Sequence, residues 1–425
     1  MSLTGMAWKY LWRRPLVTLL TVISIALGAA LISSVLTILR ETKDAFAGAN
    51  KTFDMVVGAK GSPLQLVLST MYHMDVPTGN IPYSRYQQLK EDARVRYAIP
   101  IGLGDNYEGF RIVGSETNLF SAMTRAKDDQ ASEAMLAVTE GRIFTNAFEA
   151  VLGAFVADQT GLTIGDEFYG KHGLMKLEGS EEHKDFPFKV VGILKHNNSP
   201  NDRAIFTHLE SIWQVHDYEE EQHNFLFKGA PLKDDVEEEE DADKREVTAV
   251  LLQLQSVGQR IWMSQQIQND TESMAAIPIN EMHRLYQKLL APLQTGLLTL
   301  AYLVVIVSAL TVLTTLYQSA ERRRRDLAVM RALGALRGEM FALLLVEAAL
   351  LTIIGIVLGW LLGHGAVQVA SIHYRENMGL AIQAWTIDRV EILSLLSVAL
   401  AGVIAGLVPA AIAYRSSPVK DLSRV

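Results

Sequence analysis

LVTLLTVISIALGAALISSVLTIL, residues 16–39, is a run of 24 residues without a charged side chain. A helix needs about 20 consecutive apolar residues to cross the hydrocarbon of a bilayer, so the run predicts a transmembrane helix. Three more runs stand far along the chain. Leu289 to Ala320 holds 32 uncharged residues, Met340 to Gly363 is interrupted only by Glu347, and Ile392 to Tyr414 holds 23 uncharged residues. About 250 residues of mixed, globular composition separate the first run from the second. The pattern predicts an α-helical membrane protein with four transmembrane helices in a 1+3 layout and a large α+β extracytoplasmic domain. The expected spans are 16–39, 291–318, 340–363 and 391–414, and the inserted domain is 40–290. The first run is too long for a cleavable signal peptide and is expected to remain as an anchor.

Basic residues fix the expected orientation, because Lys and Arg accumulate in segments that stay in the cytoplasm. Lys9, Arg13 and Arg14 precede the first span; Arg322, Arg323, Arg324, Arg325, Arg331 and Arg337 lie between the second and third; Arg415, Lys420 and Arg424 follow the fourth. These segments, 1–15, 319–339 and 415–425, are expected in the cytoplasm. The inserted domain and the short 364–390 loop then face outward. Residues 40–290 carry 25 Lys/Arg and 39 Asp/Glu, a net of −14, while the rest of the chain carries 14 and 8, a net of +6. No domain is basic, which argues against nucleic acid as a partner. The chain has no cysteine, so the outer domain relies on a hydrophobic core rather than disulfides.

Residues 3–14, LTGMAWKYLWRR, read as an interfacial helix whose Trp8, Tyr10 and Trp12 suit the headgroup layer. A polar helix over 40–49 is expected to continue the first span outward. In the inserted domain Met55-Val56-Val57-Gly58 reads as a buried strand, and residues 63–72 as a strand or a short helix. Residues 81–92 read as a helix with Ser84 as N-cap. YAIPIGL, FRIVGS, FKVVGIL, AIFTH and VTAVLLQL read as strands, residues 147–162 as a helix ended by Gly161, and 258–290 as helix leading into the second span. Residues 216–246 break the pattern, and Asp234 to Asp243 is almost wholly acidic, a solvated loop by composition. Gly355, Gly359 and Gly363 form GxxxGxxxG, and Gly402 and Gly406 form GxxxG. With Gly28, these residues allow close helix packing in lipid.

ERRRRDLAVMRALGALRGEM, residues 321–340, connects the second span to the third. Val329, Met330, Leu333 and Leu336 fall on one helical face and Arg324 and Arg331 on the other, and Gly334 suits a helix end. The segment reads either as a headgroup-lying helix or as a coupling helix seated in a groove of a cytoplasmic motor, its guanidinium groups pairing with motor carboxylates. Arg323, Arg325 and Leu327 belong to the same candidate coupling set. Glu347, an acid within a span, is a candidate for coupling or for pairing inside the bundle.

These residues resemble the MacB/FtsX-like permeases of ABC transporters. WKYLWRRPLVTLLTVISIALGAALI resembles that family's first span, and RRRRDLAVMRALGALRGEM its connection between spans two and three, with Asp326-Leu327-Ala328 in place of the usual Glu-Ile-Gly. Glu347 matches an acidic position early in the third span. Residues 409–422 resemble the closing signature, and residues 139–168 the periplasmic core domain. The resemblance implies a permease that carries no cofactor of its own and is not an enzyme. ATP and Mg would be bound by a separate cytoplasmic ATPase, a second permease copy would complete a homodimer, and the outer domain would act on a periplasmic protein or lipid. In several members of the family nothing crosses the membrane, and the motor's stroke is delivered mechanically to an envelope partner.

No GxxxxGK[ST] is present; Gly58-Ala59-Lys60-Gly61-Ser62 fails the spacing. There is no GxSxG and no thiol for nucleophilic chemistry. His172, His183, His196, His208, His216 and His223 gather in one stretch beside acidic residues. Imidazole with carboxylate can bind zinc, so the stretch reads either as exposed loop histidines or as a periplasmic metal site, with no HExxH or tight ligand pair to assign ligands. Two rival readings are a conventional small-molecule or lipid exporter, which would favour polar residues lining the spans, and a motor-free scaffold or sensor.

Overall fold

The structure, a computed structural model, describes residues 3–49, 52–124, 136–173, 182–223, 245–322, 329–330, 334–378 and 383–415. The chain divides into two compact units: Met1–Thr42 with Leu289–Tyr374 and Ile382–Val425, and Lys43–Lys288 with Arg375–Ala381.

Among the described residues of the first unit and its extensions, four helices are long and apolar enough to cross a membrane, within Pro15–Lys43, Pro278–Arg322, Arg337–Tyr374 and Arg389–Ile412. The helices outrun the apolar stretches. The first is continuous over Pro15–Ala49, as the polar extension predicted. The third runs over Arg337–Met378, 42 residues, about 63 Å at the α-helical rise against a hydrocarbon thickness of about 30 Å. Much of the expected 364–390 loop is therefore helix, because hydropathy marks where lipid ends and not where the helix does. Thr and Ser along these helices return their hydroxyls to carbonyls four residues back, as Thr21 does to Val17 and Thr352 to Ala348, which removes the cost of an unpaired hydroxyl in lipid. Leu3–Trp12 forms a short helix that buries Ala7 and Leu11 and leaves Trp8 and Trp12 exposed.

Among its described residues the second unit is built on twelve strands: β1 (Met55–Ala59), β2 (Ile81–Pro82), β3 (Val95–Tyr107), β4 (Phe110–Ser115), β5 (Val138–Gly141), β6 (Glu149–Leu152), β7 (Glu167–His172), β8 (Glu182–Leu194), β9 (Ala204–His208), β10 (Glu246–Val247), β11 (Ala249–Leu254) and β12 (Ser273–Ala276). β2 and β10 pair with each other, and the other ten share one sheet in the order β12-β1-β11-β3-β4-β9-β6-β8-β5. β7 pairs with both β3 and β8. The six strands β3-β4-β9-β6-β8-β7 therefore return on themselves as a closed ring, from which β11, β1 and β12 extend as an open arm. β3 belongs to both parts because β11 pairs with its residues 95–101 and β7 with its residues 105 and 106; its register against β4 shifts between Leu103 and Asn106.

Alternating residues of single strands enter different cores, as the period of two requires. Ile112, Ala150, Leu152 and Ile205 pack with Phe168 and Phe188. Their neighbours Val113, Val151 and Phe206 pack with Leu66, Ile99 and Leu251. Strands covered on both faces read as unbroken apolar runs, which is why FRIVGS and AIFTH were legible as strands.

Three local readings change. The helix at 83–91 begins after Pro82, without a side-chain cap, so Ser84 lies inside its first turn. The stretch 147–162 is strand β6 followed by a shorter helix, Ala154–Thr160, ended by Gly161 at φ 71°. The expected helix over 258–290 is broken by β12: helix Arg260–Gln268, then the strand, then helix Pro278–Leu285 and a π-turn at Tyr286–Leu290. Residues 63–71 form a helix capped by Ser62.

Candidate functional site

The glycines position the membrane helices. A Cβ at Gly355 would fall 2.6 Å from Ile25 Cβ, one at Gly359 2.5 Å from the Ala26 carbonyl oxygen, and one at Gly363 2.8 Å from the Ala30 carbonyl oxygen. All three contacts are on the first span. Gly402 and Gly406 face Thr352 and Ala348 of the third span, where a Cβ would come within 2.2 Å and 2.5 Å of a side-chain atom, and Gly28 meets Val305 of the second at 3.1 Å. Both glycine rows are thus occupied inside the chain. The first and second spans also share polar contacts: Thr21 and Thr315 hydroxyls lie 3.1 Å apart, Ser24 and Ser308 hydroxyls 3.0 Å apart, and Ser308 donates to the Ser24 carbonyl at 2.7 Å. Interhelical bonds of this kind average roughly 0.6 kcal/mol in membranes; their larger effect is to fix register.

Glu347 is 4% exposed. It lines a small cavity with Tyr10, Arg14, Thr18, Thr315, Gln318, Ser319 and Arg322. Two guanidinium-bearing residues from different segments thus share its surroundings. Glu347 stands near the end of the bundle that carries the connection between spans two and three.

Within that connection Val329, Met330 and Gly334 are described, whereas Arg323, Arg324, Arg325, Leu327, Arg331 and Leu333 lie outside the described residues, as do the acidic run 234–243 and the tail 416–425. Gly334 has φ +103°, a conformation that glycine adopts without strain. The Ala335 N–H donates to the Met330 carbonyl at 3.0 Å, closing a turn over Gly334. The next helix is capped from within: the Leu336 N–H donates to Glu339 Oε2 at 2.9 Å, the glutamate half of a capping box. The turn at Gly334, the corner of this connection, carries exposed apolar side chains, Val329 at 44% and Leu336 at 70% exposure.

At the opposite end of the bundle sits a buried polar knot that the hydropathy reading missed. His364 on the third span and Glu391 at the start of the fourth are 0% and 1% exposed. His364 Nε2 lies 2.8 Å from Glu391 Oε1, and its Nδ1 bonds the Ala384 carbonyl. Trp385 stacks on the imidazole with centroids 5.7 Å apart, and Trp360 lies across it at 4.8 Å. Beside it Arg40, at the end of the first span's apolar run, donates to the Thr386 carbonyl at 3.0 Å, while Glu41 accepts from the Gln383 N–H at 3.0 Å. The short connection between spans three and four is thereby tied to the first span. The available sequence signal was a His and a Glu flanking otherwise apolar runs.

Four membrane helices, with a strand-rich domain inserted between the first and second, define a class: a membrane protein carrying an extracytoplasmic domain. The sequence matches the MacB-like periplasmic core domain over residues 18–250 and the FtsX-like permease C-terminal region over residues 298–418. The first match alone covers more than half of the chain, and the chain belongs to this family of MacB/FtsX-type permeases. It is 24% identical over 240 residues to an uncharacterised ABC transporter permease of Methanocaldococcus jannaschii, covering 56% of this chain and 55% of that protein. The chain thus spans about half the length of the curated relative it matches. Among solved structures, it is similar to the periplasmic region of MacB from Actinobacillus actinomycetemcomitans (9% identity, TM-score 0.32, 56% of this chain and 94% of that one). It is also similar to the extracellular domain of the noncanonic ABC-type transporter YknZ from Gram-positive bacteria (11% identity, TM-score 0.28, 52% and 98%).

Proposed function

We propose that this chain is the permease subunit of an ABC transporter of the mechanotransmission type. A cytoplasmic ATPase subunit, binding ATP and Mg, grips the 319–339 connection, and its stroke moves the long span helices and thereby the outer domain. The work falls on an envelope substrate outside the membrane: a lipoprotein, a lipid, a peptide or a hydrolase. The orientation that goes with this reading puts both termini in the cytoplasm and the membrane as the inner, plasma membrane.

The observation that carries the reading is the corner at Gly334. Exposed apolar side chains at Val329 and Leu336, beside a run of arginines, offer a protein partner both burial and bidentate charge contacts. Helices that run well beyond the bilayer are suited to act as levers. A second permease copy is part of the proposal, since closed symmetric pairs are the commonest assemblies. With both glycine rows filled by the chain's own helices, that copy would meet another face of the bundle.

Copurification tests the proposal. An ABC ATPase should accompany the full chain from membranes, and Val329→Glu with Leu336→Glu should release it. Retention of the ATPase by that double variant would remove the corner as the docking element. ATP-dependent movement of a small molecule or lipid into liposomes would favour the conventional exporter, and no ATPase at all would favour the scaffold.

A further inference from the structure

The ring of strands in the outer domain closes at β3 and β7, and its seam brings together side chains that the sequence holds far apart. Asp105 of β3 and His172 of β7 are directly paired across the seam, so their side chains share a face. His183 of β8, the next strand over, completes a group in which one ligand atom from each residue lies within 4.8 Å of the others. Three adjacent strands thus each contribute one metal-ligating side chain.

We propose that Asp105, His172 and His183 bind a divalent first-row transition ion of the Zn²⁺ type. The Asp105 carboxylate supplies the first argument. It is completely buried, and a buried charge is costly unless paired. Its Oδ1 lies 3.2 Å from His183 Nε2, but its Oδ2 is buried and accepts no hydrogen bond. A bound cation would satisfy that oxygen. Burial on one side and an exposed His172 on the other leave the group a route to solvent.

A fourth imidazole lies beside the group. The His216 ring, on the helix Leu209–His223, is centred 5.6 Å from that of His172. It occupies space that only a glycine at 104 allows, since a Cβ there would sit 2.2 Å from His216 Nε2. The missing side chain of Gly104 therefore admits this histidine beside the seam.

The ligand chemistry selects the ion. Imidazole with carboxylate and no thiolate suits Zn²⁺, Ni²⁺ or Cu²⁺, whereas Ca²⁺ and Mg²⁺ require a shell of oxygens. Ligand atoms around a tetrahedral Zn²⁺ stand about 3.3 Å apart for bond lengths near 2 Å. Occupation would therefore draw the three strands' side chains inward by small rotations and fasten the seam of the ring. Two further histidines of the same stretch are engaged elsewhere: His196 lies 3.0 Å from Asp158 and 3.6 Å from Asp202, and His208 packs edge-on against Phe144.

The test uses the full chain, stripped with EDTA and exchanged into chelator-free detergent buffer. Titration with ZnCl₂ against a chromophoric chelator should show one tight site per chain, unaffected by excess CaCl₂. Co²⁺ at that site should give visible d–d bands of tetrahedral or five-coordinate intensity. His183→Asn should weaken binding at least tenfold, and so should His172→Ala at the exposed end of the group, with an unchanged melting temperature of the metal-free variant checking that its fold is kept. Absence of a stoichiometric Zn²⁺ site would overturn the proposal. So would a site unchanged in both variants but lost when the acidic residues of 234–243 are replaced by Ser, which would put the ion on the acidic segment.

Discussion

Gly359 stands so close to Ala26 that a methyl group in place of its hydrogen would fall 2.5 Å from the Ala26 carbonyl oxygen and 2.6 Å from Ala29 Cβ. A rotamer change cannot relieve a clash with backbone, so the first and third spans must separate or the residue must remain glycine. Gly359→Ala should destabilise the detergent-solubilised chain by about 1–3 kcal/mol, the usual range for overpacking. Gly365, on the same helix with nothing within 4 Å of its would-be Cβ, is the control. Gly365→Ala should be neutral or raise the melting temperature slightly, because alanine is the better helix former. Equal effects at the two positions would mean that spans one and three are not packed in this way.

His73 of the outer domain gives a pH dependence. Its imidazole packs edge-on to Phe206 and bonds Asn201 Oδ1 at 3.1 Å, while Nδ1 is buried without a partner. Burial lowers its pKa to about 4, against a partial rise from the Asn201 bond and with a further lowering from the Arg111 charge. The unfolded chain therefore takes up this proton near pH 6.5 and the folded chain only near 4. The stability tied to a neutral His73 is fully present above pH 6.5 and is lost as the pH falls from there to 4, on the order of 3 kcal/mol in all. His73→Gln should flatten the fall of the melting temperature across that window; an unchanged slope would assign it to other groups.

The buried pair His364 and Glu391 should behave as a unit. Removing one member strands the other without its partner, at a cost of a few kcal/mol. Glu391→Leu is expected to lower the thermal stability of the solubilised chain strongly. The double variant Glu391→Leu with His364→Phe should lose less than the two single losses added together. A double-mutant cycle that closes additively would show that the two side chains do not depend on each other.

The contrast between what was legible and what was not follows from the range of the interactions. The spans were legible because lipid imposes an apolar composition on every residue of a contiguous segment. Strands such as Phe110–Ser115 were legible because both of their faces are covered. The strand at Glu149–Leu152 was read as helix because four residues are too few to separate a period of two from 3.6, and the following helix lent its pattern. Closure of the ring was not legible at all. It depends on Asp105 meeting His172, 67 positions away, and nothing local encodes that pairing. The same distance hid the Asp105, His172 and His183 group: the histidine stretch was visible in the sequence, but its aspartate lies on another strand. The glycine rows announced close packing, yet only the structure pairs Gly355, Gly359 and Gly363 with the first span and Gly402 and Gly406 with the third.

Gly334 separates the geometry of the corner from its surface chemistry. At φ +103° a β-branched side chain is strained, while asparagine is the best tolerated substitute for glycine at left-handed helix ends. Gly334→Val should therefore cost about 1–2 kcal/mol locally and disturb the hydrogen bond from Ala335 to Met330, while leaving Val329, Leu336 and the arginines chemically unchanged. If the shape of the corner matters for docking a motor, Gly334→Val should reduce ATPase copurification severalfold, with Gly334→Asn retaining most of it. If only the exposed apolar and basic groups matter, both variants should hold the ATPase as well as the parent chain, and only replacing Val329 and Leu336 should release it. Loss in the Asn variant as severe as in the Val variant would mean that the glycine acts through its small size rather than its backbone conformation.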